Sequence, residues 1–516
     1  MPRTISTLAI CTTILVVVAA GCAHKLTRGM VMPADIATLD GGSRFLKAHM
    51  ASGNVYVLAD WRVDDATSTI VGTGTVHDAN RMVVDSGSFH LATDSIVLFE
   101  TNVVQQSGPS KAITVIFGVT AAVAIACATD PKACFGSCPT IYAPGADGGL
   151  SLQAEAFSSS IAPALEATDV DMLLHTRPTG RDYSLRVTNE ALETHVIRSL
   201  NLLAVPRPPG GRVFHGADGF RATAGLVAPS MCVAAEGDCL DAVIDADGDE
   251  RFSLADSTDL AVREIVELRF NDSPAGDVGL VVVSRQTLLT TFLIYQALAW
   301  LGDEAGRWLA SLERDGGSER DRARAVGDVL GEIEVLVQDD TGEWLPAGAV
   351  GETGPIAADT RLVRLPRAAG GPITIRLRMT RGLWRIDQVA LTSIGAAVEP
   401  VRIAPSRVSR EDRPEADALE SLTDPARTLV TLPGDAYDVE YRLPPDPPSY
   451  ELFVEATGYY LEWMRQEWLA EQNPLRAAQL LLDPAEAMRA LAPAFKQREA
   501  AMERLFWNSR YVRPNR

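Results

Sequence analysis

Between Phe45 and Asn102 the chain reads as short apolar runs, at 54–61, 69–75, 82–84 and 95–100, separated by polar turns. Val55-Tyr56-Val57-Leu58 and Ile96-Val97-Leu98-Phe99 are β-branched and aromatic in type, while Asp64-Asp65 and Ser86-Gly87-Ser88 carry turn chemistry. The pattern predicts a small barrel or curled sheet of four or five strands. Gly72 and Gly74 suit a bulge or a barrel corner, since no helix start follows them to make a phosphate loop. A second β-rich region runs from 137 to about 262, with alternation at 183–187 and within 200–205 and a turn-rich break at 206–211. Residues 268–285 then read as strand, turn, strand. Residues 286–301 read as a helix apolar on more than one face, hence buried, and 307–330 as helix with a polar interruption at 315–319. Strands are predicted at 333–338, 360–365 and 373–379. In the last, Ile373, Ile375, Leu377 and Met379 face one way and Thr374, Arg376 and Arg378 the other, the mark of a half-buried strand. A further strand follows at 383–391.

The stretch 399–416 is rich in Pro and Arg and reads as a linker. A β segment at 429–443 ends in the stiff break 444–448, another strand is predicted at 450–456, and 459–511 reads as helical with breaks at Asn473-Pro474, Asp483-Pro484 and Pro493. Trp463, Trp468, Phe495, Phe506 and Trp507 would dock that tail on the preceding domain. The fold class predicted is mainly β with helical insertions (α+β): a small N-terminal β-barrel, β-sandwich or jelly-roll-like domains, and a helical C-terminal tail. The expected divisions are a signal at 1–21, a tether at 22–44, the barrel-like domain at 45–105, and a hydrophobic and Cys-rich connector at 106–136. They continue with a β-rich domain at 137–262, a β-sandwich with inserted helices at 263–400, a Pro-rich linker and β segment at 401–458, and the tail at 459–516.

The first residues carry an address. Arg3 precedes an apolar stretch from Leu8 to Ala20, and Ala19-Ala20-Gly21-Cys22 closes it. The small residues ahead of the cysteine resemble the lipobox of bacterial lipoproteins, with Ala19 where Leu is usual. The resemblance implies cleavage before Cys22 and lipid on its thiol and amine. Each buried methylene of such a chain adds about 0.8 kcal/mol of membrane affinity. Ala23, where an Asp would favour the inner membrane, points to the outer one. Residues 112–128, AITVIFGVTAAVAIACA, carry no charge but fall short of the roughly 20 residues that span a bilayer. They read as a buried helix or pair of strands, and the other reading, a helix dipping into the membrane, lacks flanking Trp or Tyr anchors. An envelope address permits disulfides. Cys232 and Cys239 enclose a short polar loop and are the natural pair. Cys127, Cys134 and Cys138 do not match zinc spacings, and two of them are expected to pair, which two being open.

Three further segments, Ser-Cys-Pro-x-x-Tyr at 137–142, Leu-Arg-Val-Thr-Asn-Glu-x-x-Glu-Thr at 185–194 and Gly458-Tyr459-Tyr460-x-Glu462-Trp463, resemble an uncharacterised family of bacterial envelope lipoproteins. That resemblance covers most of 137–465 and implies organisation and location, not a mechanism. The strands 373–379 and 383–391 look like the closing pair of galactose-binding-like jelly rolls, a likeness of fold alone.

Charge and motifs narrow the function classes. The net charge of −20 over 516 residues, with no Lys/Arg cluster, argues against a nucleic-acid partner. The run 245–256 resembles the calcium loops of dockerin modules and, less closely, EF-hands. On that template Asp245, Asp247, Asp249, Ser253 and Asp256 would coordinate calcium through side chains and Arg251 through its carbonyl. Glu250 stands where the turn prefers glycine, there is no second copy of the loop, and a plain acidic turn between strands explains the run as well. The seven histidines show no paired metal spacing, and no G-x-S-x-G, Walker loop or dinucleotide fingerprint occurs. His195, beside Glu193 and Thr194 at a strand start, reads as a polar residue facing solvent rather than a general base. The expected function is that of a lipid-anchored outer-membrane protein acting by binding or scaffolding, with an envelope protein or a glycan as partner. A secreted hydrolase with a cleft between sandwich domains and a calcium-stabilised adhesion module are the alternatives.

Overall fold

In a computed structural model, the residues described are 24–106 and 138–509, apart from short stretches within them. Cys22, Cys127, Cys134 and the uncharged stretch 112–128 lie outside the described residues. Among the described residues no helix is long and apolar enough to cross a membrane. The chain divides into two compact units, Met1–Ala126 and Cys127–Arg516.

In the first unit six antiparallel strands form one sheet, in the spatial order His24–Val31, Ile96–Gln106, Phe45–Met50, Val55–Asp64, Thr69–His77, Val83–Ala92. Leu46, Ala48, Leu58, Ile70, Leu91, Ile96 and Phe99 share one core, the barrel-like region expected from the apolar runs. Gly74 permits the closest strand approach there, since a Cβ at that position would sit 1.9 Å from the Val57 carbonyl oxygen. The bulge lies on the facing strand, between Ala59 and Arg62.

The second unit is mainly β with helical insertions, built as one sandwich inserted into another. Every strand of the outer sandwich comes from 140–206 or 401–462. One of its sheets is centred on the antiparallel pair Glu193–Pro206 and Tyr450–Glu462, the other on Asp182–Thr188 and Ala436–Arg442. Ile141, Leu185, Leu202, Val439 and Val454 fill the space between them. The strands of the inserted sandwich all lie within 212–397. In its first sheet Gly219–Val227, Arg212–Gly216, Asp359–Ala368, Asp277–Gln286 and Trp384–Ala397 pair in that order, and the last pairs back to the first, closing a five-stranded barrel. Asp277–Gln286 is flanked on both sides and buried on both faces beyond its first residue, which is why its middle, 278–283, is free of polar side chains. The second sheet contains Arg263–Phe270, Ile373–Thr380 and Ile333–Gln338, whose alternate residues are buried as their sequence alternation requires.

Three expectations are corrected here. The 262/263 boundary runs through both sheets of the inserted sandwich, because strands pair by register across long separations that local composition does not record. The linker-like stretch 399–416 carries the strands Val401–Ile403 and Arg407–Arg410, which complete the outer sandwich. Ile373–Thr380 and Trp384–Ala397, likened to a jelly-roll closing pair, belong to different sheets, and the chain turns between them at Gly382.

The helices follow the inserted strands and the C-terminal segment. Leu289–Leu301 (α1) begins beside Thr287, whose hydroxyl accepts the Leu289 N–H at 3.2 Å, and ends at Gly302. Ala305–Arg314 (α2) and Ser318–Leu330 (α3) come next, and Ala416–Thr423 (α4) lies in the outer sandwich. Pro474–Leu482 (α5) starts at Asn473, whose side chain caps the Arg476 N–H at 3.2 Å, and Pro484–Ser509 (α6) contains Pro493. The expected helical tail therefore begins later than 459, since Tyr459–Glu462 finish the strand Tyr450–Glu462. Trp463, Trp468 and Phe495 are buried as docking residues.

Candidate binding cavity

The register of the central outer pair sets Glu193 opposite Glu462 and His195 opposite Tyr460. Alternation places all four on one face of the sheet, with Thr194 on the other face accepting the Trp463 indole N–H at 2.9 Å. The strand start is anchored by Asn189, whose amide donates to the Glu193 carbonyl at 2.9 Å and the Thr431 carbonyl at 3.2 Å. Glu193 and His195 are fully buried, and a Glu193 carboxylate oxygen lies 2.8 Å from His195 Nε2. The reading of His195 as a solvent-facing residue is thus corrected: the strand begins inside the molecule. Burial first, then Cys138, Glu193, Glu462 and Tyr295, push the Tyr460 phenol well above its usual range. It remains a donor, to the Ser158 carbonyl at 3.0 Å.

This face forms one wall of a cavity of about 630 Å³. Glu193, Glu462, Tyr460, Glu155 and Ser158 line the sheet side, while Leu293, Ile294, Ala297 and Leu298 of α1, Trp308 of α2, and Leu480 and Leu481 of α5 line the helical side. Glu155, 2% exposed, accepts the Ile356 N–H at 2.6 Å. Gly354, at φ +78°, lets the loop cross that carboxylate where a Cβ would come within 2.6 Å of it. Trp308 Nε1 is buried with no hydrogen-bond partner among the described residues. Cys138 is also on the cavity wall and is buried. The three segments of the family resemblance hold Cys138, Glu193, Tyr460 and Glu462 of this wall, but as separate stretches of sequence they did not announce a common cavity.

A second buried cluster gathers three carboxylates around one guanidinium. Arg361 pairs with Asp359 through Nε, and lies 3.5 Å from Asp169 and 3.9 Å from Asp171. Its Nη1 donates to the Val170 carbonyl at 2.9 Å and meets His215 Nδ1 at 3.0 Å. Burial, then Asp169 and Asp359, raise Asp171 well above the carboxylate range. Burial also pushes Asp359 up to about 6, against the pull of Arg361. Burial, and then Arg361, bring His215 down to about 4, so its imidazole is neutral.

The acidic run 245–256 makes no such convergence. Asp245, Asp247 and Asp249 are exposed, and Asp247 accepts the Asp249 N–H at 3.0 Å. Glu250 turns inward to pair with Arg285, its Oε1 2.6 Å from Arg285 Nε, and lies 3.6 Å from Arg385. Arg251 is buried between Glu264, at 2.9 and 3.0 Å, and Glu236, at 2.7 Å. Ser253 donates to Glu264 at 2.6 Å, and Asp256 accepts the Thr258 and Asp259 N–H groups. The expected calcium set of Asp245, Asp247, Asp249, Arg251, Ser253 and Asp256 is not assembled. Among the described residues no group of three or more His, Cys, Asp or Glu is placed to hold a metal ion. The Cys232–Cys239 disulfide is formed, as its short loop predicted.

No family model and no curated protein matches the chain. Among solved structures it is similar to a GH31 α-xylosidase of Xanthomonas citri, at 8% identity and a TM-score of 0.15, over 84% of this chain and 38% of that one. The chain thus spans well under half the length of that enzyme, and a likeness this slight carries no argument.

Proposed function

We propose that this chain is a lipid-anchored protein of the bacterial envelope, held at the outer membrane through Cys22, whose second unit works by binding. The observation that carries the binding half is the opposed pair Glu193 and Glu462 on a cavity wall. Like charges directly opposite in a sheet are destabilising, and carboxylates are costly to bury. A fold that keeps both against an open space of this size, within the roughly 300–1,000 Å³ common for ligand sites, has a use for that wall. The partner is an envelope protein or a glycan that seats a small group there. The lipobox at Ala19-Ala20-Gly21-Cys22 supports the anchoring half.

Native mass spectrometry of the full chain is expected to find a bound small molecule that Ala297→Phe, which fills the cavity, does not carry. An unliganded mass in both would overturn the binding reading. Labelling with a palmitate analogue is expected to mark the unmutated chain and not Cys22→Ser, and equal labelling would overturn the anchor.

A second reading, a hydrolase, is favoured by one observation. Glu193 and Glu462, directly opposed and both buried, line one cavity, and a glycosidase needs two carboxyl groups at one site to share acid and nucleophile roles. On this reading Glu193→Gln and Glu462→Gln would each lower turnover of chromogenic glycosides by about 10²-fold or more. Absence of turnover by the unmutated chain would remove it.

A further inference from the structure

We infer that the cavity takes an uncharged amphiphile, an apolar chain carrying a hydroxyl-rich head, as in a glycolipid or an acylglycerol. The inference deepens the binding reading and rests on it.

The two walls differ in chemistry. Leu293, Ile294 and Leu298 of α1 with Leu480 and Leu481 of α5 offer a surface that gains only by excluding water, at about 25 cal/mol per Å² of apolar area covered. The opposite wall holds the buried carboxyl groups of Glu155, Glu193 and Glu462, whereas Arg324 of α3, also in the lining, has its side chain 64% exposed and its charge screened by solvent. Carboxylates accept hydrogen bonds, and at low dielectric they repel an anion strongly. A fatty acid or a phosphate headgroup would bring a negative charge against this wall. A pure hydrocarbon would strip water from the carboxylates and return nothing. Trp308 Nε1 adds the reciprocal demand: a buried donor in the cavity lining with no acceptor among the described residues. A hydroxyl suits both walls, since it can accept from the Trp308 indole N–H and donate to a carboxyl oxygen. The phenol of Tyr460, held protonated by burial, keeps the sheet wall from gaining a further charge.

Four probes sharing a ten-carbon tail separate the outcomes in isothermal calorimetry on the full chain: decyl glucoside, monodecanoylglycerol, decanoate and decyltrimethylammonium, each below its micelle concentration. One or both hydroxyl-headed probes are expected to bind at least about tenfold tighter than decanoate, a difference of about 1.4 kcal/mol. The glucoside and the glycerol ester tell a glycolipid from an acylglycerol source. Ala297→Phe is expected to abolish binding of all four. Glu193→Gln and Glu462→Gln are expected to shrink the disadvantage of decanoate while leaving a measurable affinity for the glucoside. Decanoate binding as tightly as the neutral probes, or the ammonium binding tightest, would overturn the ligand class and leave the cavity as a binding site. No heat from any probe, or heat unchanged by Ala297→Phe, would overturn the ligand class, and the native mass result then decides separately whether the cavity binds anything.

Discussion

Two acidic regions of the second unit stand in contrast. The run 245–256 concentrates its carboxylates in consecutive residues, and the fold scatters them: three aspartates face solvent, Glu250 turns to Arg285, and Asp256 caps a turn. The cavity wall draws on residues far apart in the chain, at 155, 193–195 and 460–462, and the fold brings them together on one face. The difference teaches that density of chemistry along a chain and density of chemistry in space are separate quantities. Acidic side chains close in sequence are spent on local turns and ion pairs. Strand register, which local sequence does not encode, assembles the wall.

The sharpest way to break the comparison is to remove the ion pair that draws the 245–256 run inward. Arg285→Ala would leave Glu250 buried with only Arg385 near, and is expected to cost about 3 kcal/mol in urea unfolding. A loss below about 1 kcal/mol would put this pair in the class of exposed salt bridges and the run back among surface turns.

The aspartate cluster gives a smaller, pH-dependent effect. Asp359 has its folded value raised to about 6, so its contribution to stability is full below about 3.8 and is lost as pH rises through about 6. Asp359→Asn should therefore flatten stability between ~pH 5 and ~pH 8, removing about 1.4 kcal/mol of the advantage of the acidic side over its value above neutrality. Urea midpoints of both chains at the two pH values check this. A parallel offset at both would mean that Asp359 carries no titration of its own.

The smallest effect belongs to the exposed turn. Asp247→Ala removes one hydrogen bond to the Asp249 N–H and should cost under about 1 kcal/mol, identically with and without calcium. A calcium-dependent rise in melting temperature of the unmutated chain, lost in this variant, would show that the run closes on the ion in solution.

Much of the fold was legible where its cause is local. The alternation at 373–379 and 183–187, the helix at 286–301, the Asn473-Pro474 helix start and the Cys232–Cys239 closure all depend on residues within a few positions of one another. The insertion of 212–397 into the outer sandwich was not legible. The strands that close it, such as Val401–Ile403 on Glu193–Pro206, are matched only by pairing across about 200 residues, Leu202 with Ile403 among them. For the same reason His195 read as a surface residue: its pairing with Tyr460, 265 positions away, is not visible in the residues around it. The Pro and Arg content of 399–416 misled because edge strands carry such residues without losing their pairing.

The most direct test is hydrogen exchange on the full chain with decyl glucoside and, separately, with calcium. The account predicts protection by the glucoside over 155–167 and 290–298, and no change by calcium over 245–256. Protection of 245–256 by calcium with none over the cavity segments would contradict it.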